Sequence, residues 1–243
     1  MNTENLAHSP RRSRRGRGFT LVELLIVVAI VAVLASLALP AFKRSLESAK
    51  TVKCLANLKQ LGQATLAYNA DNQQLLPPAA VQYSAGGMTL WYLEIRPYLG
   101  ATNTSLPTSK QYPYGRNLDV FYCPSVSYDR AYPHTQYACN NNVFINTGSA
   151  PDEMRQTMFI RIETPAKIVM YSENFAGIDS PNWPEGGWQL PANVVKSNPD
   201  RWFPHRHGET VNMVFCDGHA QNLPRADVVT NFKKYFGDRE LWK

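Results

Sequence analysis

The chain has 243 residues with 25 Lys and Arg against 19 Asp and Glu, a formal net charge of +6 and a pI near 9.1. The first 18 residues hold five arginines and one glutamate, four of those six positive charges, which leaves +2 on everything that follows. Basicity confined to one end gives no ground for nucleic-acid binding, and no nucleic-acid partner is inferred.

Arg11, Arg12, Arg14, Arg15 and Arg17 form a cationic leader ending at Gly18, a residue that leaves the backbone open to a protease. An apolar run from Phe19 to Leu39 follows, about 31 Å long as a helix and enough to span a bilayer. Glu23 lies inside it, where a carboxylate costs about 2.5–3.5 kcal/mol on insertion scales, so a partner is expected. A cleavable Sec or Tat signal is one alternative, since Arg14-Arg15 looks like a twin arginine and Ser36-Leu37-Ala38 offers small residues for cleavage. The carboxylate and the length of the run argue against it. A plain anchor on a soluble enzyme explains the length but leaves Gly18, Phe19 and Glu23 to chance. The arginine flank keeps the N-terminus cytoplasmic and sends the rest across the membrane.

The helical pattern continues past Leu39. Phe42, Leu46, Ala49, Val52, Leu55, Leu58, Leu61, Thr65 and Tyr68 recur at steps of three and four, predicting one stripe on one face. The helix is expected to run to about Ala70, where Asp71-Asn72 and Pro77-Pro78 break it, with Pro40 bending or locally unwinding it.

Beyond Pro78 the composition shifts to Tyr, Trp, Pro and Asn with short apolar runs, long enough for one domain with its own core. Residues 79–150 read as loops with brief strands. Met158, Ile160 and Ile162 alternate with Phe159 and Arg161, and after Thr164-Pro165 the run Ile168–Tyr171 continues, predicting a hairpin. A second hairpin has Thr210–Cys216 as one arm, Asp217-Gly218 as the turn and His219–Leu223 as the return. The expected fold class is α+β: a long N-terminal helix packed on a mainly antiparallel sheet.

His205, His207, Glu209, Asp217 and His219 cluster in sequence and could be read as metal ligands or an acid/base set. The alternative is that Asp217-Gly218 simply turns the chain while His207 fixes the loop entering the hairpin. The spacing matches no standard zinc pattern, and neither a nucleophile nor an oxyanion hole accompanies it. Neither an enzyme nor a cofactor or metal is therefore expected.

The Gly18-Phe19-Thr20-Leu21-Val22-Glu23 junction resembles the class III signal of type IV pilins and type II secretion pseudopilins. That resemblance implies cleavage between Gly18 and Phe19 by a prepilin peptidase, N-methylation of Phe19, and pairing of Glu23 with the Phe19 amine of a neighbouring subunit. It divides the chain into a leader (1–18), an N-terminal helix (19–70, with 19–39 transmembrane) and a β-rich head (71–243). Three further stretches resemble one branch of these proteins. His207, nine residues, then Asp217-Gly218 is similar to its H-x9-DG pattern, and Cys123-Pro124-Ser125 to its C-P-S segment. Cys54–Gly62 resembles its C-x-N-N-L-K-Q-I-G stretch, with Ala56 in place of the first Asn. Residues 79–120 and 173–205 carry no part of the likeness.

Four cysteines in an exported head allow three disulfide pairings. Cys54 and Cys123 fall in the segments that carry the resemblance, which implies a bridge from helix to head and leaves Cys139 and Cys216 for a second. Cys216 as a small buried residue is the alternative. The resemblance implies a structural subunit of a pilus or pseudopilus at the bacterial inner membrane, its partners being prepilin peptidase and other pilin-type subunits. A membrane-anchored head binding ligand or polysaccharide through Trp91, Trp183, Trp188 and Trp202 is the alternative of another class, and a hydrolase built on the histidines a third.

Overall fold

Thr20 and Glu23 start the long helix α1 (Leu21–Asp71). The Thr20 backbone N–H and hydroxyl donate to Glu23 Oε2 at 2.9 and 2.8 Å, and the Glu23 N–H donates to Thr20 Oγ1 at 3.3 Å. This is a reciprocal capping box, in which threonine and glutamate satisfy free amides of the first turn. The computed structural model describes residues 19–82, 88–101, 118–125, 135–144, 159, 162–173, 189–190, 203 and 205–237. It divides into two units, Met1–Ser45 and Leu46–Lys243.

In the first unit, described from Phe19, α1 runs unbroken through Pro40 to Ser45 with every residue exposed. Leu21, Leu25, Ile30, Leu34, Leu37 and Leu39 all face outward. Among the described residues α1 alone is long and apolar enough to cross a membrane. A surface this apolar has no stable place in water.

The second unit holds α1 from Leu46 onward, a two-stranded sheet and a five-stranded sheet. The small sheet pairs β1 (Ala80–Gln82) with β2 (Met88–Leu90) antiparallel, and α2 (Trp91–Glu94) follows directly. The large sheet contains β3 (Tyr137–Asn140), β4 (Val169–Glu173), β5 (Gln189–Leu190), β6 (Thr210–Phe215) and β7 (Ala220–Pro224), in the order β5-β3-β4-β6-β7. β3, β4, β6 and β7 pair antiparallel, and β5 joins β3 in parallel. Two short helices, α3 (Arg225–Thr230) and α4 (Phe232–Phe236), close the described chain.

β3, β4 and β6 are buried on both faces, and their alternate residues point into two separate clusters. Val214 and Cys216 join Cys54, Leu58, Leu61, Ala64 and Tyr68 of α1 in one cluster with Trp91 and Tyr171. Val211, Met213 and Phe215 join Phe203, Val228, Phe232 and Phe236 in the other. A Cβ built on Gly62 of α1 would lie 2.7 Å from Val214 Cγ2, so only glycine lets helix and sheet approach this closely. Gly62→Ala is expected to cost about 1–3 kcal/mol through overpacking. Val214→Ala should recover much of that loss in the double variant, and additive losses in denaturant unfolding would refute the close approach.

Three expectations change. The buried face of α1 is Cys54, Asn57, Leu58, Leu61, Gly62, Ala64, Thr65, Tyr68 and Asn69, while Phe42, Leu46, Ala49 and Val52 stay exposed. Leu58, Leu61, Thr65 and Tyr68 of the expected stripe are covered, and polar residues share that face: Asn57 Nδ2 donates to the Tyr122 carbonyl at 2.9 Å, and Thr65 Oγ1 lies 2.6 Å from Tyr171 OH. The first hairpin is replaced by non-local pairing. Its second arm is β4, but β4 pairs with β3 and β6, while Phe159 and Ile162 form a turn through the bond from the Ile162 N–H to the Phe159 carbonyl. Met158, Ile160 and Arg161 lie outside the described residues. The third concerns Cys139 and Cys216: Cys139 lies on β3, Cys216 follows the last residue of β6, and β4 lies between those strands, so their backbones are about two strand spacings, roughly 10 Å, apart. A disulfide needs Cα atoms within about 7 Å.

The second hairpin forms as expected, with register from Thr210↔Pro224 to Val214↔Ala220. Gly218 has φ of +87° in the turn, which its neighbour Asp217 stabilises by accepting the His219 N–H at 3.1 Å.

Candidate functional site

Four side chains from distant parts of the second unit converge at one buried point. Cys54 comes from the covered face of α1, and Cys123 from the segment just after the 3-10 turn Asp119–Phe121. Glu173 is the last residue of β4, and His207 sits in the tight turn leading into β6. The turn is held by Thr210 Oγ1, which donates to the His207 carbonyl at 2.9 Å. The Cys123 N–H donates to Gln136 Oε1 at 2.6 Å, tying its segment to the start of β3.

Glu173 Oε1 is the hub. It accepts from Cys54 Sγ at 2.7 Å and Asn212 Nδ2 at 2.7 Å, and lies 2.9 Å from His207 Nε2. Cys123 Sγ is 3.3 Å from the same imidazole nitrogen. One donor atom from each of Cys54, Cys123, Glu173 and His207 fits within 4.8 Å of the other three. Around them, Tyr137 OH lies 3.2 Å from Cys54 Sγ, and His207 Nδ1 lies 3.0 Å from Thr51 Oγ1 and 3.4 Å from Ser125 Oγ. The side chains of Glu173 and His207 are wholly shielded from solvent.

The charges are strongly coupled. Hydrogen bonds from Cys54 and then His207 hold the Cys123 thiol down at about 5, against the effect of burial. Burial lowers His207, but its bonds to Cys123 and Glu173 outweigh that and bring it up to about 9. Cys54 is pushed far up by burial, then by Cys123 and Glu173. The site thus favours the proton on Cys54 and His207 over Cys123, the direction set by their mutual hydrogen bonds in a low-dielectric surround. The four donors are of the types that ligate transition metals.

The residues singled out from sequence divide sharply. Cys54, Cys123 and His207 meet, although only a resemblance connected them. The other members of the histidine cluster do not join: His205 pairs with Glu209 at 3.3 Å, and His219 with Asp217 at 2.6 Å, on the exposed side of their turns. Asp217 and Gly218 serve the hairpin turn. The four cysteines are buried and none is in a disulfide, and Cys139 and Cys216 lie in the apolar cluster with Tyr171. Phe19 is exposed and Glu23 caps α1, while Gly18 lies outside the described residues. Trp91 is fully buried and so is no surface ligand platform, and Trp183, Trp188 and Trp202 lie outside the described residues.

Glu173, Tyr137 and Asn212 were missed by sequence reasoning. The one available sign was a carboxylate closing the apolar run Ile168–Tyr171, a position where burial demands a partner.

No curated protein and no solved structure matches the chain. The family described as "Prokaryotic N-terminal methylation motif" matches residues 13–39, which marks a prepilin-type, membrane-anchoring N-terminus of the sort that prepilin peptidase processes.

Proposed function

We propose that this chain is a structural subunit of a type IV pilus or type II secretion pseudopilus, polymerised through its N-terminal helix. The observation that carries this reading is the methylation motif at 13–39 on a helix whose apolar residues up to Leu39 all face outward. In this reading residues 1–18 are the leader, and prepilin peptidase cuts between Gly18 and Phe19 and methylates the new amine. The helix to Leu39 crosses the inner membrane once, its N-terminus cytoplasmic, and residues 71–243 form the exported head. The head belongs with the H-x9-DG branch, which the meeting of Cys54, Cys123 and His207 supports, since each comes from a separate stretch of that likeness.

Mass spectrometry of the mature protein tests the reading: an N-methylated Phe19 as first residue is expected, and an intact leader or cleavage near Ala38 would refute it. Gly18→Val should leave the leader attached, and normal-length mature protein from that variant would sink the proposed cleavage. Glu23→Val should strongly reduce filament incorporation, because the carboxylate that meets the neighbour's amine is gone. The head's melting temperature should stay unchanged, since Glu23 contacts Thr20 alone among the described residues. Wild-type incorporation by that variant would refute the pairing.

A further inference from the structure

We infer that Cys54, Cys123, Glu173 and His207 bind one zinc ion as a closed structural centre that fastens α1 to the sheet. Two thiols, an imidazole and a carboxylate supply four protein ligands, the count of a structural rather than a catalytic zinc site. Sulfur and imidazole donors together select zinc over calcium or magnesium, which prefer oxygen alone. The geometry is close to what the ion needs. Zinc–ligand bonds of about 2.0–2.3 Å in a tetrahedron set ligand atoms roughly 3.3–3.8 Å apart. Here Cys123 Sγ and His207 Nε2 are 3.3 Å apart, His207 Nε2 and Glu173 Oε1 2.9 Å, and all four donor atoms lie within 4.8 Å of one another. Cys54 Sγ and Glu173 Oε1, now 2.7 Å apart, would separate by about 1 Å to admit the ion.

The surroundings have the form of an outer coordination shell. A metal-bound histidine usually engages a partner through its other ring nitrogen, which fixes tautomer and ring orientation. His207 Nδ1 does so, 3.0 Å from Thr51 Oγ1 with Ser125 Oγ close by. Asn212 holds the carboxylate through Oε1, and Tyr137 holds Cys54. Glu173 Oε2 is buried and lacks a hydrogen-bond partner among the described residues. A carboxylate shielded this fully calls for a cation, and its second oxygen is available to one. The four ligands come from a helix, a turn, a strand end and a second turn, so one ion ties together segments that no local contact joins. The centre stands whether or not the chain polymerises.

The test uses the full chain, purified in detergent, reduced and stripped with a chelator. One equivalent of zinc per chain should rebind. Cobalt in its place should give thiolate-to-cobalt charge-transfer absorption with the intense visible bands of a tetrahedral site. Cys123→Ser should remove much of the charge-transfer intensity. Thr51→Val sits at the half-exposed helix surface and removes the hydroxyl beside His207 Nδ1, together with its bond to the Glu47 carbonyl one turn back on the helix, so it should weaken binding about 10–100-fold with folding intact. Cys139→Ser and Cys216→Ala should leave the cobalt spectrum as it was. Failure of the stripped wild-type chain to bind either metal would overturn the assignment, and so would binding that survives Cys54→Ser and His207→Gln together. A Cys54–Cys123 disulfide, found by alkylating and mapping thiols in protein taken directly from exporting cells, would overturn it as well.

Discussion

A Tyr171→Ala variant is expected to lose about 3–5 kcal/mol of unfolding free energy, the range for emptying a large aromatic site in a core. Tyr171 is fully buried in β4, with Trp91 at 4.4 Å and Phe144 at 5.1 Å between ring centroids. Its hydroxyl reaches Thr65 Oγ1 on α1, which itself donates to the Leu61 carbonyl at 3.0 Å. The residue therefore joins helix, α2 and sheet at one point. Tyr171→Phe keeps the rings together and removes one hydrogen bond, so about 1 kcal/mol is expected there. Urea unfolding of the detergent-solubilised chain, followed by near-ultraviolet circular dichroism, measures both. A loss below about 1 kcal/mol for the alanine variant would mean that the aromatic cluster does not hold the layers together.

Glu173→Ala is expected to be of similar size, about 3–5 kcal/mol, for a different reason. Truncation leaves three groups facing an apolar gap: the Asn212 amide, the Cys54 thiol and the His207 ring each lose the same acceptor. Glu173→Gln keeps the volume and an acceptor oxygen but not the charge, and should fall between the wild-type chain and the alanine variant. The order of the three denaturation midpoints is the check. Equal midpoints would show that the site is wet and that the carboxylate is screened.

How much of this was readable beforehand depended on the distance over which each element is specified. The helix was legible because a membrane-length apolar run from Phe19 to Leu39 leads into a helical period from Phe42 to Tyr68, with asparagine and proline signals after it. The β6–β7 hairpin was legible because Asp217-Gly218 and the alternation of Val211, Met213 and Phe215 are local. β3 was not, since Tyr137–Asn140 is buried on both faces and shows no alternation. β4 was seen as a strand but given the wrong partner, because a central strand buried along its whole length carries no mark of which neighbours it takes. The site was the hardest part. Cys54 and Glu173 are 119 residues apart and Cys123 and His207 84, so no spacing rule joins them. The covered face of α1 also includes Asn57, whose value lies in a hydrogen bond to the Tyr122 carbonyl that a count of apolar positions does not register.

The cap at the start of α1 has a consequence for how such a chain waits before use. With Thr20 holding the carboxylate of Glu23, an unassembled molecule is already satisfied at the point where it would otherwise present a bare charge to lipid. If the chain is the filament subunit proposed above, joining a filament is an exchange, in which a bond inside one molecule is given up for a bond between two. Thr20→Val would remove the hydroxyl bond and keep the backbone one, weakening the resting hold on Glu23, and in the proposed role would tilt that exchange toward association.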